Sequence, residues 1–348
     1  MRDSDQLITS SDAPPPALIE RASEHLARLG LITPGARPSW RLLGGGVSNW
    51  VIHFDVGQGV VVKQALAQLR VREEWLADPR RAVLEGYAMA ALAERLPAGD
   101  VPQVLFVDED LCLLGMTSAP ERATTWKQLL LGGTADPADA AGVGALLGRM
   151  HGAAWEDGNL ARRFGDLALF EQLRLNPYHE CTARLAEQRG DRALAESLRA
   201  GAQEMRDIRC TLVHGDFSPK NLLVWDRAVM ALDFEVVHWG NPDFDTAFLL
   251  THLALKAIHL PAAAAQYAAC ARVFLDAYAV ALGRRSAAVI EAGALRQAGC
   301  LLAARADGKS PAEYLIAQGR LRARALGTAV LSGAVNNVTD LFAFPEDE

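Results

Sequence analysis

The segment HGDFSPKN, residues 214–221, sets Asp216 and Asn221 five residues apart, and Asp233 follows in LDFE twelve residues after Asn221. Moving a phosphoryl group asks a protein for little covalent chemistry. It needs one carboxylate to orient an acceptor hydroxyl and take its proton, and hard oxygen ligands to hold magnesium on the nucleotide phosphates. Asp216 suits the first task; Asn221 and Asp233 suit the second. An Asp or Asn beside a turn often bonds only local backbone. Joined at this spacing across a hairpin, with Glu235 two residues beyond Asp233, the group points to one shared site. His214 is expected to brace the loop through hydrogen bonds rather than to act as a base.

A second set of residues lies nearer the N-terminus. GGGVSN, residues 44–49, offers Gly44, Gly45 and Gly46 between two β-rich runs, followed by Ser48 and Asn49. Such a stretch is either a backbone cradle for phosphates or an ordinary hairpin turn. Lys63 ends the apolar run VVVKQ, an awkward charge on a buried strand unless it is paired, and the helix that follows offers Glu85. A Lys–Glu pair that fixes the lysine on the α- and β-phosphates fits nucleotide chemistry; an exposed edge lysine is the alternative.

These residues need elements to hold them. The run WRLLGGGVSNWVIHFDVGQGVVVKQ predicts three consecutive antiparallel strands, and residues 79–96 place Leu84, Tyr87, Ala88, Ala91, Leu92 and Leu96 near helical spacing before Pro97. VPQVLFVDEDLCLLGMTSAP adds two strands about Asp108, Glu109 and Asp110. Beyond Pro120 the pattern is helical, with stripes over 138–154 and 183–205 and a pair of alanine-rich core helices over 253–282. One β-rich island interrupts them, a hairpin of runs 222–225 and 229–232 around the turn Asp226–Arg227. The chain is thus expected to hold a leader over 1–16, an N-lobe over 17–115, a hinge over 116–119, a helical C-lobe over 120–341 and an acidic tail over 342–348.

With 348 residues, half of them hydrophobic and 22% charged, the composition is that of a globular chain of about two domains. The net charge of −7 leaves no broad basic field for a nucleic-acid backbone or an anionic membrane. The five cysteines lack a CxxC pair and fit free thiols in a reducing compartment, so a cytoplasmic location without membrane or nucleic-acid partners is expected. The first residues have acids and a triple proline where an export signal needs an apolar core.

HGDFSPKN, LDFE and GNPDFDTAFL, in this order, resemble the catalytic and metal-binding motifs of the aminoglycoside phosphotransferase and choline kinase-like family, relatives of protein kinases that act on small molecules. VVKQALAQLRVREEW with the following RAVLEG is similar to the N-lobe of methylthioribose kinases, a sugar-kinase branch. The resemblance covers roughly residues 40–260. It implies an α+β bilobal kinase-like fold, with a small antiparallel-sheet N-lobe and a larger helical C-lobe. It makes Asp216 the catalytic aspartate, Asn221 and Asp233 magnesium ligands with Glu235 assisting a second metal, and Lys63 with Glu85 the pair that positions the phosphates. Asp245 matches an aspartate that opens a helix and braces the catalytic loop. Residues 114–119 fall where the family carries its hinge, so their backbone is expected to meet adenine, with Met116 lining the pocket or simply filling core. The chain departs from the pattern in two places: the glycine stretch lacks a G-x-G-x-x-G form, and methylthioribose kinases usually carry another residue where Asn221 stands.

Acceptor contacts are expected beside Asp216. His238 and Trp239, just past DFEVV, serve either as contacts or as loop packing. Arg305 and Lys309 lie in ARADGKSPAEYL, ahead of Ser310-Pro311-Ala312-Glu313, which has the form of a capping box opening a helix; the loop is either a substrate contact or a solvated turn. The expected function is ATP- and Mg2+-dependent phosphorylation of a hydroxyl on a small metabolite or antibiotic, such as methylthioribose, by a monomer or homodimer. A nucleotide-binding regulator without catalysis is the alternative, disfavoured because the lysine and both aspartates are present.

Overall fold

Leu18, Ala22 and Leu26 recur every fourth residue after Pro16, which is pre-set for a first helical turn, and they form the buried stripe of α1 (Pro16–Arg28). In the computed structural model, which describes residues 13–44, 48–68 and 77–343, this stripe packs on a five-stranded antiparallel sheet. The strands are β1 (Trp40–Leu42), β2 (Asn49–Phe54), β3 (Val60–Ala65), β4 (Val104–Asp108) and β5 (Leu113–Thr117), ordered β1-β2-β3-β5-β4. Alternation turns Ile52 and Phe54 of β2 and their partners Val62 and Val60 of β3 into the core beneath α1. Each such side chain contributes about 1.5–3 kcal/mol when fully buried. Helix α2 (Arg81–Ala93) lies between β3 and β4 in the chain. These described residues as far as Gly86, together with Val104–Ser118, make one compact unit; Tyr87–Gln103 and the chain from Ala119 onward make another.

The second unit is mainly helical. It contains β6 (Thr124–Thr125), α3 (Trp126–Leu131), α4 (Pro137–Ala153), α5 (Gly158–Arg163), the short α6 (Ala168–Phe170), a π-helical stretch Glu171–Glu180, α7 (Cys181–Gln188) and α8 (Arg192–Asp207). The island follows as β7 (Thr211–Val213), β8 (Leu222–Trp225), β9 (Ala228–Ala231) and β10 (His238–Gly240). Four long helices complete it: α9 (Asp243–His259), α10 (Ala264–Leu282), α11 (Ala287–Asp307) and α12 (Ala317–Leu331). Asp226 and Arg227 both take positive φ, 44° and 69°, the conformation a two-residue hairpin loop requires, and β8 pairs with β9 in register. Among the described residues one helix, α11, is long and apolar enough to cross a membrane by length and composition; two thirds of that stretch is buried inside the structure.

Several expectations change. The helical stripe over 183–205 is two helices, because Gly190 adopts φ +81° and Asp191 then caps α8 by accepting from the Leu194 amide at 3.1 Å. No helix opens at Ser310. Its hydroxyl and carbonyl both accept from Arg305 Nη1, at 2.9 and 2.6 Å, so the cap residue is spent within the loop and α12 starts only at Ala317. Helix α1 begins inside the stretch expected as leader, and Leu341 and Phe342 are buried, which moves the start of the tail beyond them. Gly45, Gly46, most of the leader, part of VVKQALAQLRVREEW and the last five residues lie outside the described residues.

Candidate active site

The β-rich island is built from a strand, a loop and a hairpin. After β7 the chain turns through Gly215, whose φ of +75° and approach to β-island backbone leave no room for a side chain: a Cβ there would sit 2.4 Å from the Val236 carbonyl oxygen. Asp245, in the first turn of α9, accepts the next two amides of this turn, from His214 at 2.7 Å and from Gly215 at 2.9 Å. His151 holds the same carboxylate through Nε2 at 3.1 Å. Burial alone would raise the Asp245 pKa, but the His151 hydrogen bond, the nearby imidazoles and the amide outweigh it and keep the carboxyl below its ordinary value. Asp245 is therefore a buried anchor that fixes the loop backbone ahead of Asp216.

His214 is a brace, as expected. The Asp216 amide donates to its Nδ1 at 3.2 Å and its Nε2 meets the Leu232 carbonyl at 2.9 Å, which together require the neutral Nε2–H tautomer. Burial holds the ring below its usual pKa in spite of the surrounding carboxylates. With both nitrogens engaged it has no lone pair left for a substrate proton.

The loop brings Asp216 and Asn221 together. Asn221 Nδ2 donates to Asp216 Oδ2 at 2.9 Å and to the Asp216 carbonyl at 3.0 Å, which leaves the amide oxygen of Asn221 as its ligand-capable atom. Asp233, just after β9, holds φ +68°, an uncommon conformation for a residue other than glycine. Its carboxylate converges on the same place: Lys220 Nζ is 2.9 Å from Asp216 Oδ2 and 4.0 Å from Asp233 Oδ2. Burial opposes the Lys220 charge, and the Asp216 and Asp233 carboxylates overcome it and raise its pKa above the ordinary lysine value. Glu235 is buried two residues further on.

Two cations here were not singled out from sequence. Lys220 lies inside the loop, one turn after Asp216, and its charge so close to a carboxylate was the available signal. Arg174 comes from the π-helical stretch; its Nε donates to the Gly215 carbonyl at 2.7 Å and its Nη2 lies 3.3 Å from Asp216 Oδ2. Forty-two residues separate Arg174 from Asp216, and no local pattern marks it.

The donor set suits a hard cation. Asn221, Asp233 and Glu235 present only oxygen, and a lysine ammonium already sits where two carboxylates converge, so a positive charge is accommodated there. Among the described residues no group of three or more His, Cys, Asp or Glu side chains is gathered as a metal site. A magnesium held by one amide, one or two carboxylates and phosphate oxygens has no need of one.

The sheet unit carries the second set. Lys63 on β3 and Glu85 on α2 are both buried, 4% and 1% exposed, and form an ion pair at 2.7 Å. Gly86 lets α2 sit close on the sheet: a Cβ there would lie 2.7 Å from Val107 and 3.0 Å from Leu114, the residue paired with Lys63. Arg81, unmarked in the sequence reading, is buried at the start of α2. It donates to the Ser48 carbonyl at 2.6 Å and the Leu66 carbonyl at 2.9 Å, tying the end of the glycine stretch to β3 and α2. Asn49 Nδ2 donates to Ser48 Oγ at 2.9 Å. Gly44 is described, and Met116 is a buried residue of β5 opposite Val61.

The four acceptor candidates separate. His238 and Trp239 lie in β10 and are buried, 2% and 6% exposed; His238 stacks on Phe170 at 3.9 Å and bonds the Val236 carbonyl, and the Trp239 amide donates to the Phe164 carbonyl. Both pack the unit's interior. Arg305 is half-buried and grips Ser310, and Lys309 is exposed.

The family model described as phosphotransferase enzyme family matches residues 39–286. A methylthioribose kinase from Geobacillus thermodenitrificans (strain NG80-2) is 25% identical over 279 residues, 73% of this chain and 70% of that protein. Among solved structures, a choline kinase from Cryptosporidium parvum Iowa II aligns with a TM-score of 0.57 at 10% identity, over 93% of this chain and all of that one. An amicoumacin kinase solved with AMP-PNP, Ca2+ and its ligand gives 0.53 at 16% identity, over 92% and 97%. These likenesses show a kinase-like fold, in keeping with the antiparallel sheet of one unit and the helices of the other.

Proposed function

The chain belongs to the phosphotransferase enzyme family, and from that membership we propose that it moves the γ-phosphoryl group of ATP to a hydroxyl of a small molecule, with Asp216 as catalytic residue. The observation that carries this reading is the convergence on Asp216: the Asn221 amide at 2.9 Å, the Lys220 ammonium at 2.9 Å and, through that ammonium, the Asp233 carboxylate. The acceptor oxygen attacks phosphorus as the bond from phosphorus to the β–γ bridging oxygen breaks. Its proton passes to Asp216, and ADP leaves. Because the transition state is loose, the main service of Asp216 is to hold the hydroxyl in line, and that of Lys220 is to offset charge on the transferring oxygens. Asn221, Asp233 and Glu235 would hold Mg2+, which would neutralise the phosphates.

Lys63, kept in place by Glu85, meets the α- and β-phosphates in this reading. In the same reading residues 114–119 with Met116 receive adenine. The five cysteines are free in the structure, which supports a reducing cytosol as the place of work. Incubation of the protein with labelled ATP, Mg2+ and a panel of thio-sugars, amino alcohols, aminoglycosides, hydroxy acids and sugar phosphates tests the reading. One compound class is expected to gain phosphate in step with ADP formation. ADP formation with no labelled acceptor anywhere in an extended hydroxyl panel would count against it.

A further inference from the structure

Helix α9 begins with the loop anchor Asp245 and continues to a residue that neither the motifs nor the mechanism uses. Lys256 is 1% exposed, yet among the described residues the one hydrogen bond of its ammonium is to a carbonyl of its own helix, that of His252, at 3.3 Å. Across from it stands Tyr314, whose ring is 5.7 Å from the ammonium and whose buried hydroxyl has no hydrogen-bond partner among the described residues. Arg305 spends Nη1 on Ser310 but leaves its buried Nε without a partner. The charges that act on Lys256 are those of Lys127 and Arg305, both cations, and no carboxylate is among them. Burial together with these neighbours pushes Lys256 down to about 7. His252, half-buried, is likewise held well below its usual value by burial and by Lys256, Arg305, Lys220 and Lys127.

Gathering positive charge and two orphaned donors in a partly buried place costs stability unless an anion completes it. Helix α9 links the cluster to the loop of Asp216: the Arg174 guanidinium, 3.3 Å from Asp216, lies 5.9 Å from the centre of the Phe248 ring, and that ring meets His252 edge-on at 5.0 Å. His252 is seven residues along α9 from Asp245, about 10 Å at helical rise. Resting on the kinase reading above, we propose that Lys256, Arg305 and Tyr314 bind an oxyanion of the acceptor, so that the substrate is a hydroxyl compound bearing a carboxylate or a phosphate rather than a neutral sugar or a cationic amine. The anion accepts from the Lys256 ammonium, the Arg305 Nε–H and the Tyr314 hydroxyl, and the hydroxyl to be phosphorylated extends toward Asp216.

The test has two arms. In the first, labelled ATP is offered with glycerate, threonate and gluconate, each against its primary amide, with ribose 5-phosphate against ribose, and with choline and kanamycin. Transfer to the acid of a pair is expected to exceed transfer to the amide by about tenfold or more, the worth of a charge-assisted hydrogen bond; preference for ribose 5-phosphate instead would identify the anion as phosphate. In the second arm, saturable thermal stabilisation by malonate at fixed ionic strength is measured for the wild type, Lys256→Met and Tyr314→Phe, and is expected to be lost in the first variant and weakened in the second. Tyr314→Phe keeps the ring, so it remains informative if the lysine variant does not fold. Equal transfer to acids, amides and cations, or equal malonate response in all three proteins, overturns the proposal and leaves the kinase reading standing. The kinase reading fails separately if no hydroxyl compound of the panel, anionic, neutral or cationic, gains phosphate from Mg·ATP.

Discussion

In the proposed reading, Asp216 depends on the groups that aim it. A carboxylate touched by an amide at 2.9 Å, an ammonium at 2.9 Å and a guanidinium at 3.3 Å has little freedom to turn, which is what positioning an acceptor hydroxyl requires. Lys220→Met removes the ammonium but keeps the volume. Steady-state kinetics are expected to show kcat lowered by about tenfold or more, with the KM for ATP changed much less, because a charge-assisted contact to the transferring phosphate is worth roughly 1.5–3 kcal/mol. A fall in ATP affinity with kcat intact would assign Lys220 to nucleotide binding instead. At this scale the sequence was most legible where motif residues are close in the chain: Asp216, Asn221 and Asp233 do gather about one place, and Lys63 does pair with Glu85. Arg174 was not legible, since a guanidinium that arrives from 42 residues away leaves no local signature. For His238 and Trp239 the sequence left contact and packing equally open, because nearness to Asp233 does not fix the direction in which a strand presents its side chains, and the structure selects packing.

At the scale of elements, the loop depends on one backbone conformation and one helix terminus. Gly215 must hold φ +75° with Val236 O where a Cβ would lie 2.4 Å away, while the first turn of α9 offers Asp245 to the two adjacent amides. Gly215→Ala is expected to destabilise the protein by roughly 1–3 kcal/mol or more, seen as a lower denaturant midpoint, and to depress kcat through displacement of Asp216. Unchanged stability in that variant would mean the turn tolerates a Cβ and is not the rigid support described. The strands of the sheet and the hairpin of the island were readable because alternation and turn residues are local. Helix α1 could have been found from Leu18, Ala22 and Leu26. The helix expected at Ser310 failed for a physical reason: its capping hydroxyl is bound by Arg305, a competition that a four-residue pattern does not contain.

Across the molecule, buried imidazoles set how the fold responds to acid. Burial pushes His179 and His238 down to about 4, against an ordinary value of 6.5. Between those values the unfolded chain binds more protons than the folded one, so their contribution is complete above pH 6.5 and is lost as the pH falls toward 4. Burial also raises Asp108, but hydrogen bonds from His25 and Arg21 more than reverse this, so that carboxylate adds a loss at still lower pH. Thermal melts over this range should show falling stability with a shallower slope in His238→Phe, which keeps a ring against Phe170. Equal slopes would mean that His238 stays charged in the fold.

Asp216 is proposed as the group that directs a hydroxyl onto the γ-phosphate, and single-turnover transfer from labelled Mg·ATP to the best acceptor, compared between wild type and Asp216→Asn, tests this role directly. The predicted result is nucleotide binding retained with transfer slowed by about 10²–10⁴-fold. Transfer at the wild-type rate in Asp216→Asn, with the nucleotide equally bound, would contradict it.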